Sequence, residues 1–208
     1  MQNDKTTKEK ILEAALTEFG TKGYKNASTN QIYPVAHVSK GAIFKIFGSK
    51  SNLFYEVFSL SLSKMVEALN SIQLETYNDL SKINTDVFDR MIAVMLWKME
   101  YAKKHPFETA VMMEGISDPP KAIQQLIITH VNDLKKLSMN IFFDEIPMDN
   151  IREDISKEQF RENIEISLAG IQAYYINQKI DLGYLEKIRE KSILYLKTVM
   201  KGMEKNND

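Results

Sequence analysis

The stretch YPVAHVSKGAIFKIFGSK, residues 33–50, contains three lysines, one histidine and three aromatic residues but no acid. Ser39 is a residue type that caps the start of a helix, and Gly48 is one that follows its end. The apolar residues between them recur with the period of an α-helix, at Ala42, Ile43, Ile46 and Phe47. The stretch therefore predicts a short basic helix.

Two further helices are predicted upstream. Thr6 with Glu9, and Ser28 with Gln31, have the spacing of capping boxes. Pro34 falls at about the sixth residue of the second helix, where a proline costs roughly 3 kcal/mol. The pattern therefore predicts a kink at Pro34, or a helix restarted there. Only about three residues join the second helix to the basic helix, which is typical of a helix-turn-helix.

The rest of the chain is predicted to be helical as well. Ser49 caps a helix that continues past residue 65, and further helices are expected to start near 84–86, at Pro106 and after Pro119-Pro120. A loop around Pro147 precedes two amphipathic runs, roughly 157–180 and 184–204. Because no segment alternates with the period of a strand, the predicted fold class is all-α.

Charge and composition narrow the function. Residues 1–54 carry eight lysines against four acids, whereas the remainder carries 19 basic and 24 acidic residues. A basic end on an acidic body favours a polyanionic partner at that end. Without cysteine, a spaced metal-ligand motif or a phosphate loop, we expect no enzyme, no catalytic residue, no cofactor and no metal site. With no apolar run long enough to span a bilayer, no membrane partner is expected and the expected location is the cytoplasm.

The third helix supplies the residue types that bind DNA. The N-terminal residues of the second helix of a helix-turn-helix face the base edges in the major groove. Lysine donates to guanine or phosphate, a serine at a helix start suits phosphate, and a glycine allows close backbone approach. The predicted DNA-binding residues are Ser28, Ser39, Lys40, Gly41, Ala42, Phe44, Lys45, Ser49 and Lys50.

Taken together, the first 50 or so residues resemble the N-terminal domain of the tetracycline-repressor (TetR) family of bacterial transcriptional regulators. The residues that carry the resemblance are Ile11, Ala14, Ala15, Phe19, Gly23, Ser28, Ile32, Ala36, Val38, Ser39, Gly41, Phe44, Phe47, Lys50 and Leu53. The resemblance implies about nine helices, with a DNA-binding domain at 1–54 and a ligand-binding and dimerisation domain at 55–208. The family usually has glycine where this chain has His37, and often tyrosine where it has Phe44.

The resemblance also implies a small-molecule pocket among the middle helices. The predicted effector contacts are Trp97, Glu100, Tyr101, Phe107, Val111, Met112, Glu114, Phe142, Phe143 and Tyr174. The last two helices are apolar over more than one face, which favours a homodimer built as a four-helix bundle. Its predicted interface residues are Ile164, Leu168, Ile171, Tyr175, Ile193, Leu196 and Met200.

We therefore expect a dimeric, ligand-responsive DNA-binding regulator. In its most specific form it is a repressor that a small hydrophobic molecule releases from a palindromic operator. The alternative is a small-molecule or protein-binding module of the same fold whose DNA-binding head has degenerated. Pro34, His37 and Phe44 motivate that alternative, since each departs from the residue that a regular head would carry.

Overall fold

The computed structural model describes residues 6–80, 87–143, 148–175 and 182–205. Within those ranges, side chains are not described at 70, 72–80, 87–93, 135–143, 172, 175, 182–186 and 189. The described chain is helical, with one isolated bridge between Ile151 and Glu204, which confirms the predicted all-α class. The helices are α1 Thr7–Asn26, α2 Thr29–Val35, α3 Lys40–Phe47, α4 Lys50–Leu80, α5 Val87–Lys104, α6 Pro106–Ser117, α7 Gln124–Phe143, α8 Lys157–Tyr175 and α9 Leu182–Lys201, with a 3₁₀ turn at Lys121–Ile123 before α7.

Most predicted helix starts are confirmed. Thr6 and Glu9 form both bonds of a capping box at α1, and Pro106 is the first residue of α6. The helix after Pro119-Pro120 enters through the 3₁₀ turn. The predicted start at 84–86 and the centre of the loop around Pro147 lie outside the described residues.

The chain divides into two compact units. The first comprises Met1–Leu74 with Tyr101–Lys135, and the second Glu75–Glu100 with Lys136–Asp208. The first unit therefore combines the N-terminal helices with α6 and the start of α7, which are distant from them in sequence. The functional boundary expected near residue 54 stays a prediction.

The first unit is built around aromatic side chains from α1 and α4. The rings of Phe19 and Phe54 meet edge to face at 5.2 Å, and Tyr24 contacts Phe54 at 5.3 Å. Tyr24, which follows the break in α1, therefore packs back onto this aromatic core. The side chains that are almost fully covered in this unit are Ile11, Ala15, Phe19, Ile32, Ile43, Leu53, Phe54, Phe58, Val111 and Ile127.

Helix α1 breaks at a glycine and packs closely against α6. Gly23 has φ 70° and ψ 166°, a conformation open essentially to glycine alone. Three residues earlier, a Cβ added to Gly20 would lie 2.7 Å from the Cβ of Phe107, so only glycine permits this approach of α1 to α6. Gly23 thus breaks the helix, whereas Gly20 serves packing.

The second unit has its own apolar core. Its covered residues come from α5, α8, α9 and the segments that flank them: Met95, Met99, Ile151, Phe160, Ile164, Ile171, Ile188, Leu196 and Met203. The end of the chain is joined to the segment before α8, because Arg152 donates its backbone N–H to the carbonyl of Met203 at 2.9 Å. Lys205 donates likewise to the carbonyl of Asn150 at 2.9 Å.

Candidate DNA-binding head

The turn between α2 and α3 is a Schellman motif with histidine at its left-handed position. His37 has φ 54° and is the one described residue other than glycine with positive φ. Its N–H donates to the carbonyl of Pro34 at 3.1 Å, and the N–H of Val38 donates to that of Tyr33 at 3.1 Å. These two bonds define the motif. His37 therefore adopts the left-handed backbone that favours glycine, and the turn closes without glycine.

Pro34 lies inside α2 and does not restart it. The helix begins at Thr29 with Ser28 as its cap, so the predicted restart at Pro34 is wrong. The bond from the Ala36 N–H to the Ile32 carbonyl, 2.9 Å, forms beyond the proline. What the proline removes is its own N–H, the donor that would serve the carbonyl of Asn30. The helix tolerates this loss because it is capped at both ends.

The predicted capping box of α2 is also wrong in its partner. Ser28 Oγ accepts from the N–H of Asn30 at 3.2 Å, while the N–H of Ser28 donates to Glu18 Oε1 at 3.0 Å. Glu18, on α1, therefore takes the place that Gln31 was expected to fill. Burial raises the pKa of the Glu18 carboxyl, but its bonds to Lys22 and to the Ser28 N–H outweigh that and hold the pKa below its usual value.

Helix α3 separates a buried face from a basic one. Ile43 and Phe47 are buried, whereas Lys40, Gly41, Phe44 and Lys45 are exposed. This confirms the predicted helix and its stop at Gly48, which has φ 75°. Ile46 departs from the predicted core face, since 41% of it is exposed. The eight-residue helix is short enough for its flanks to remain uncovered.

The start of α3 leaves room on its outer side. Ser39 precedes the helix but its hydroxyl makes no capping bond. A Cβ added to Gly41 would meet nothing within 4 Å. Neither the packing nor the backbone conformation of this chain therefore requires glycine at position 41. The next residue, Ala42, is half-buried.

The start of α4 is braced against α1. Ser49 Oγ accepts from the N–H of Asn52 at 3.1 Å, a regular cap. The ammonium of Lys50 lies 4.6 Å from the centre of the Tyr24 ring and donates to the carbonyl of Lys25 at 3.5 Å. Burial lowers the pKa of Lys50, against the opposing influence of Glu114 and Glu18. Lys50 thus has a structural role in addition to any contact with phosphate.

Helix α6 is attached to α1 at the glycine break. Both carboxylate oxygens of Glu114 accept from the N–H of Tyr24, at 2.9 and 2.8 Å. Lys25 pairs with Asp118 at 2.7 Å. Glu114 was predicted as a polar anchor for an effector; in the structure its carboxylate holds the α1 break onto α6.

The other predicted effector contacts fall in both compact units. Tyr101, Val111 and Met112 are buried in the first unit, where Phe107 is 40% exposed. The Tyr101 ring stacks on His105 at 4.1 Å, and burial followed by the charge of Glu108 raises the pKa of Tyr101. In the second unit, Trp97 and Glu100 are half-buried and Tyr174 is 68% exposed. The side chains of Phe142 and Phe143 lie outside the described residues.

The predicted interface residues of α8 and α9 face the core of their own chain. Ile164, Ile171 and Leu196 belong to that core, and Leu168, Ile193 and Met200 pack against it. The side chain of Tyr175 lies outside the described residues. The apolar side chains that these helices leave exposed are others, namely Ile166, Tyr174, Leu194 and Tyr195. Both helices are apolar on more than one face, and helical periodicity alone does not show which of these faces packs against the core.

A groove of about 370 Å³ lies between α8 and α9 on this exposed side. It is lined by Ser167, Gly170, Ile171, Tyr174, Lys191, Ser192 and Tyr195. The hydroxyl of Ser192 is buried and has no hydrogen-bond partner among the described residues. Elsewhere in the described ranges, no three acidic or histidine side chains are grouped as a metal site. None of the described helices is apolar over a length that would cross a bilayer.

Comparison with known proteins agrees with this geometry. A profile of the family described as "Bacterial regulatory proteins, tetR family" matches residues 11–57, which include all of α2 and α3. The uncharacterized HTH-type transcriptional regulator YhgD of Bacillus subtilis (strain 168) is 28% identical over 120 residues, 58% of this chain and 59% of YhgD. The match therefore spans less than two thirds of that relative.

Among solved structures, a TetR-like transcriptional regulator from Rhodococcus sp. RHA1 aligns with a TM-score of 0.62 at 16% identity, over 92% of this chain and 96% of its own. The superantigen PfiT aligns with a TM-score of 0.67, also at 16% identity, over 93% of this chain and 97% of its own. At such identities these structures establish the fold alone. The fold and the head define a helix-turn-helix protein with a helical body, whose residues 11–57 match the model of the tetR family of bacterial regulatory proteins.

Proposed function

We propose that this protein is a dimeric transcriptional regulator that binds a palindromic operator and releases it when a small hydrophobic molecule binds. The observation that carries the proposal is the exposed face of α3, where Lys40 and Lys45 flank Gly41 and no acid occurs from 25 to 50. A helix that presents lysines and bare backbone suits the major groove, where guanine and phosphate oxygens accept hydrogen bonds. Such a protein works in the cytoplasm, with the chromosome.

The first test concerns Lys45. We expect Lys45→Ala to weaken operator binding and to reduce the slope of log affinity against log salt concentration by about 1, because one phosphate or base-edge cation is lost. Lys64→Ala, an exposed lysine of α4, is the matched control and should leave both quantities unchanged. Fluorescence anisotropy with an operator selected from random DNA measures them. Equal binding by wild type and Lys45→Ala would contradict the assignment.

The contact between Glu114 and Tyr24 supports a route from effector to DNA. A molecule that contacts Phe107, Val111 or Met112 touches the same helix whose Glu114 holds the break in α1. Displacement of α6 would then move α1, on which α2 is fixed through Glu18 and Ser28. Trp97, Glu100 and Tyr101 on α5 remain predicted effector contacts.

This coupling is tested with an effector found by a thermal-shift screen of hydrophobic compounds. In wild type, the compound should raise the melting temperature and release the operator. We expect Glu114→Ala to keep the rise in melting temperature but to reduce the release, since the effector site stays while the bond to Tyr24 is lost. If Glu114→Ala releases DNA as wild type does, Glu114 does not transmit the signal.

For the homodimer, we assign the contact to the exposed side of α8 and α9. Ile166, Tyr174, Leu194 and Tyr195 protrude beside the groove, and Ser192 within it lacks a bonding partner. Protruding rings and a groove on the same two helices suit a twofold interface, in which one surface meets its own copy. Exposed apolar side chains grouped on one face are more stable when a partner covers them.

Sedimentation equilibrium tests the interface. Leu194→Lys places a charge at its proposed centre and should shift the protein to monomer, with weaker operator binding because the two heads are no longer linked. Leu126→Lys, on the exposed side of α7, is the matched control and should stay dimeric. A dimer that persists in Leu194→Lys would place the contact elsewhere.

The alternative, a module with a degenerate head, is separated by the selection from random DNA. A degenerate head would enrich no palindrome. The Schellman turn at His37 favours a working head, because its two hydrogen bonds form despite the missing glycine.

A further inference from the structure

Phe44 has an exposure that the fold does not explain. Its ring lies on α3 one turn after Lys40 and next to Lys45, with 44% of its surface exposed. Ile43 and Phe47 already supply the buried face of this helix. Among the described residues, no aromatic pair includes Phe44. An apolar ring therefore stands in water between the two lysines of the basic helix.

The chemistry of the ring limits what it can recognise in DNA. Phenylalanine has no atom that donates or accepts a conventional hydrogen bond, so it neither grips phosphate nor reads the polar edge of a base. The major groove offers one apolar group, the 5-methyl of thymine. Contact with that methyl removes both apolar surfaces from water.

We propose that Phe44 is a specificity-determining residue that selects thymine in each half-site of the operator. The inference rests on the proposed DNA-binding function. Lys40 and Lys45 then recognise guanine or phosphate, while Phe44 recognises a methyl group beside them. Half-sites bound by this protein accordingly contain a thymine at a fixed place relative to the bases that the lysines contact.

The size of the effect follows from one methyl group. Burying one CH₂-sized group contributes about 0.8 kcal/mol, which corresponds to about a fourfold change in affinity. Loss of the methyl from both half-sites of a palindrome doubles the free-energy term and gives a change of roughly 16-fold.

The experiment replaces thymine by deoxyuridine, which lacks only the methyl. The operator is first selected from random DNA with the full-length protein, and each thymine is then replaced symmetrically in both half-sites. Wild type should lose roughly 16-fold in affinity at one position, and Phe44→Ala should bind the two duplexes equally. Ile46→Ala, on the other exposed flank of α3, is the matched control and should keep the wild-type loss.

Salt dependence gives a second readout. Phe44→Ala should lower affinity for the thymine operator without changing the slope of log affinity against log salt, because no ion is displaced by the ring. Lys45→Ala should reduce that slope. Thermal melting of each variant checks that it is folded.

The outcomes separate the two proposals. If wild type selects an operator but is insensitive to deoxyuridine at every position, Phe44 does not read thymine and DNA binding still stands. The same holds if Phe44→Ala retains the loss, or if Ile46→Ala removes it. If wild type selects no DNA sequence, the proposed function fails together with this inference.

Discussion

Replacing Gly41 with alanine should move stability and DNA binding in opposite directions. Gly41 is the second residue of α3 and exposed, and an added Cβ meets nothing within 4 Å. Because alanine is favoured over glycine in a helix by roughly 0.5–1 kcal/mol, Gly41→Ala should stabilise the protein by about that amount. For a chain of this length the gain corresponds to a melting temperature higher by about 1–4 °C.

Binding should weaken in the same variant. If the backbone of α3 approaches the bases at Gly41, a methyl there is overpacked against DNA, which costs about 1–3 kcal/mol, or on the order of tenfold in affinity. Differential scanning calorimetry measures the first effect and anisotropy with the selected operator the second. The stability gain serves as the internal control, since it shows that the variant folds.

Two results would refute the reasoning. Unchanged affinity in a stabilised variant would mean that the backbone at Gly41 does not approach DNA. A loss of stability would mean that the helix is not formed as described, because an open position in a regular helix gains from alanine.

Three further predictions concern the support of the head. His37→Gly should stabilise the protein by about 1 kcal/mol in chemical denaturation, because glycine adopts the left-handed backbone at φ 54° without the steric cost of a Cβ; destabilisation would contradict the Schellman assignment. Pro34→Ala should leave stability unchanged or raise it by up to about 2 kcal/mol, and it should keep operator binding. The substitution restores a hydrogen-bond donor in α2, but it also increases the conformational entropy of the unfolded chain. Lost binding in a folded variant would show that the proline is functional. The bond from the Ser28 N–H stabilises the ionised Glu18, whose folded pKa is lowered. Wild type should therefore exceed Glu18→Gln in free energy of unfolding at neutral pH, and the difference should be lost as pH falls through the lowered folded pKa of Glu18; a difference that is constant with pH would rule out a contribution from the charge.

Much of the head could be predicted from residues close together in sequence. Caps, breakers and a short apolar period identify α1, α2 and α3, because each depends on interactions within a few residues. The left-handed backbone at His37 was predictable for the same reason, as the turn between the two helices leaves it little choice. Pro34 was harder, because its local cost competes with caps at both ends of α2.

Contacts between distant residues could not be predicted from pattern. Glu18 replaces Gln31 at the cap of α2, and Glu114 bonds to a backbone N–H 90 residues away. Each acid has the same appearance in the sequence as a solvated one. Their partners depend on how α1 packs against α2 and α6.

The sequence by itself determined the helices, the basic character of α3 and the helix-turn-helix, since these arise from local propensity and charge. Only the tertiary structure decided which apolar faces are covered. It placed Ile164 and Leu196 in the core but left Leu194 and Tyr195 exposed, although α8 and α9 carry apolar residues on more than one face. It likewise left Phe44 in water while burying Phe47. The physical reason is that helical period fixes which residues share a face, whereas burial depends on what that face meets.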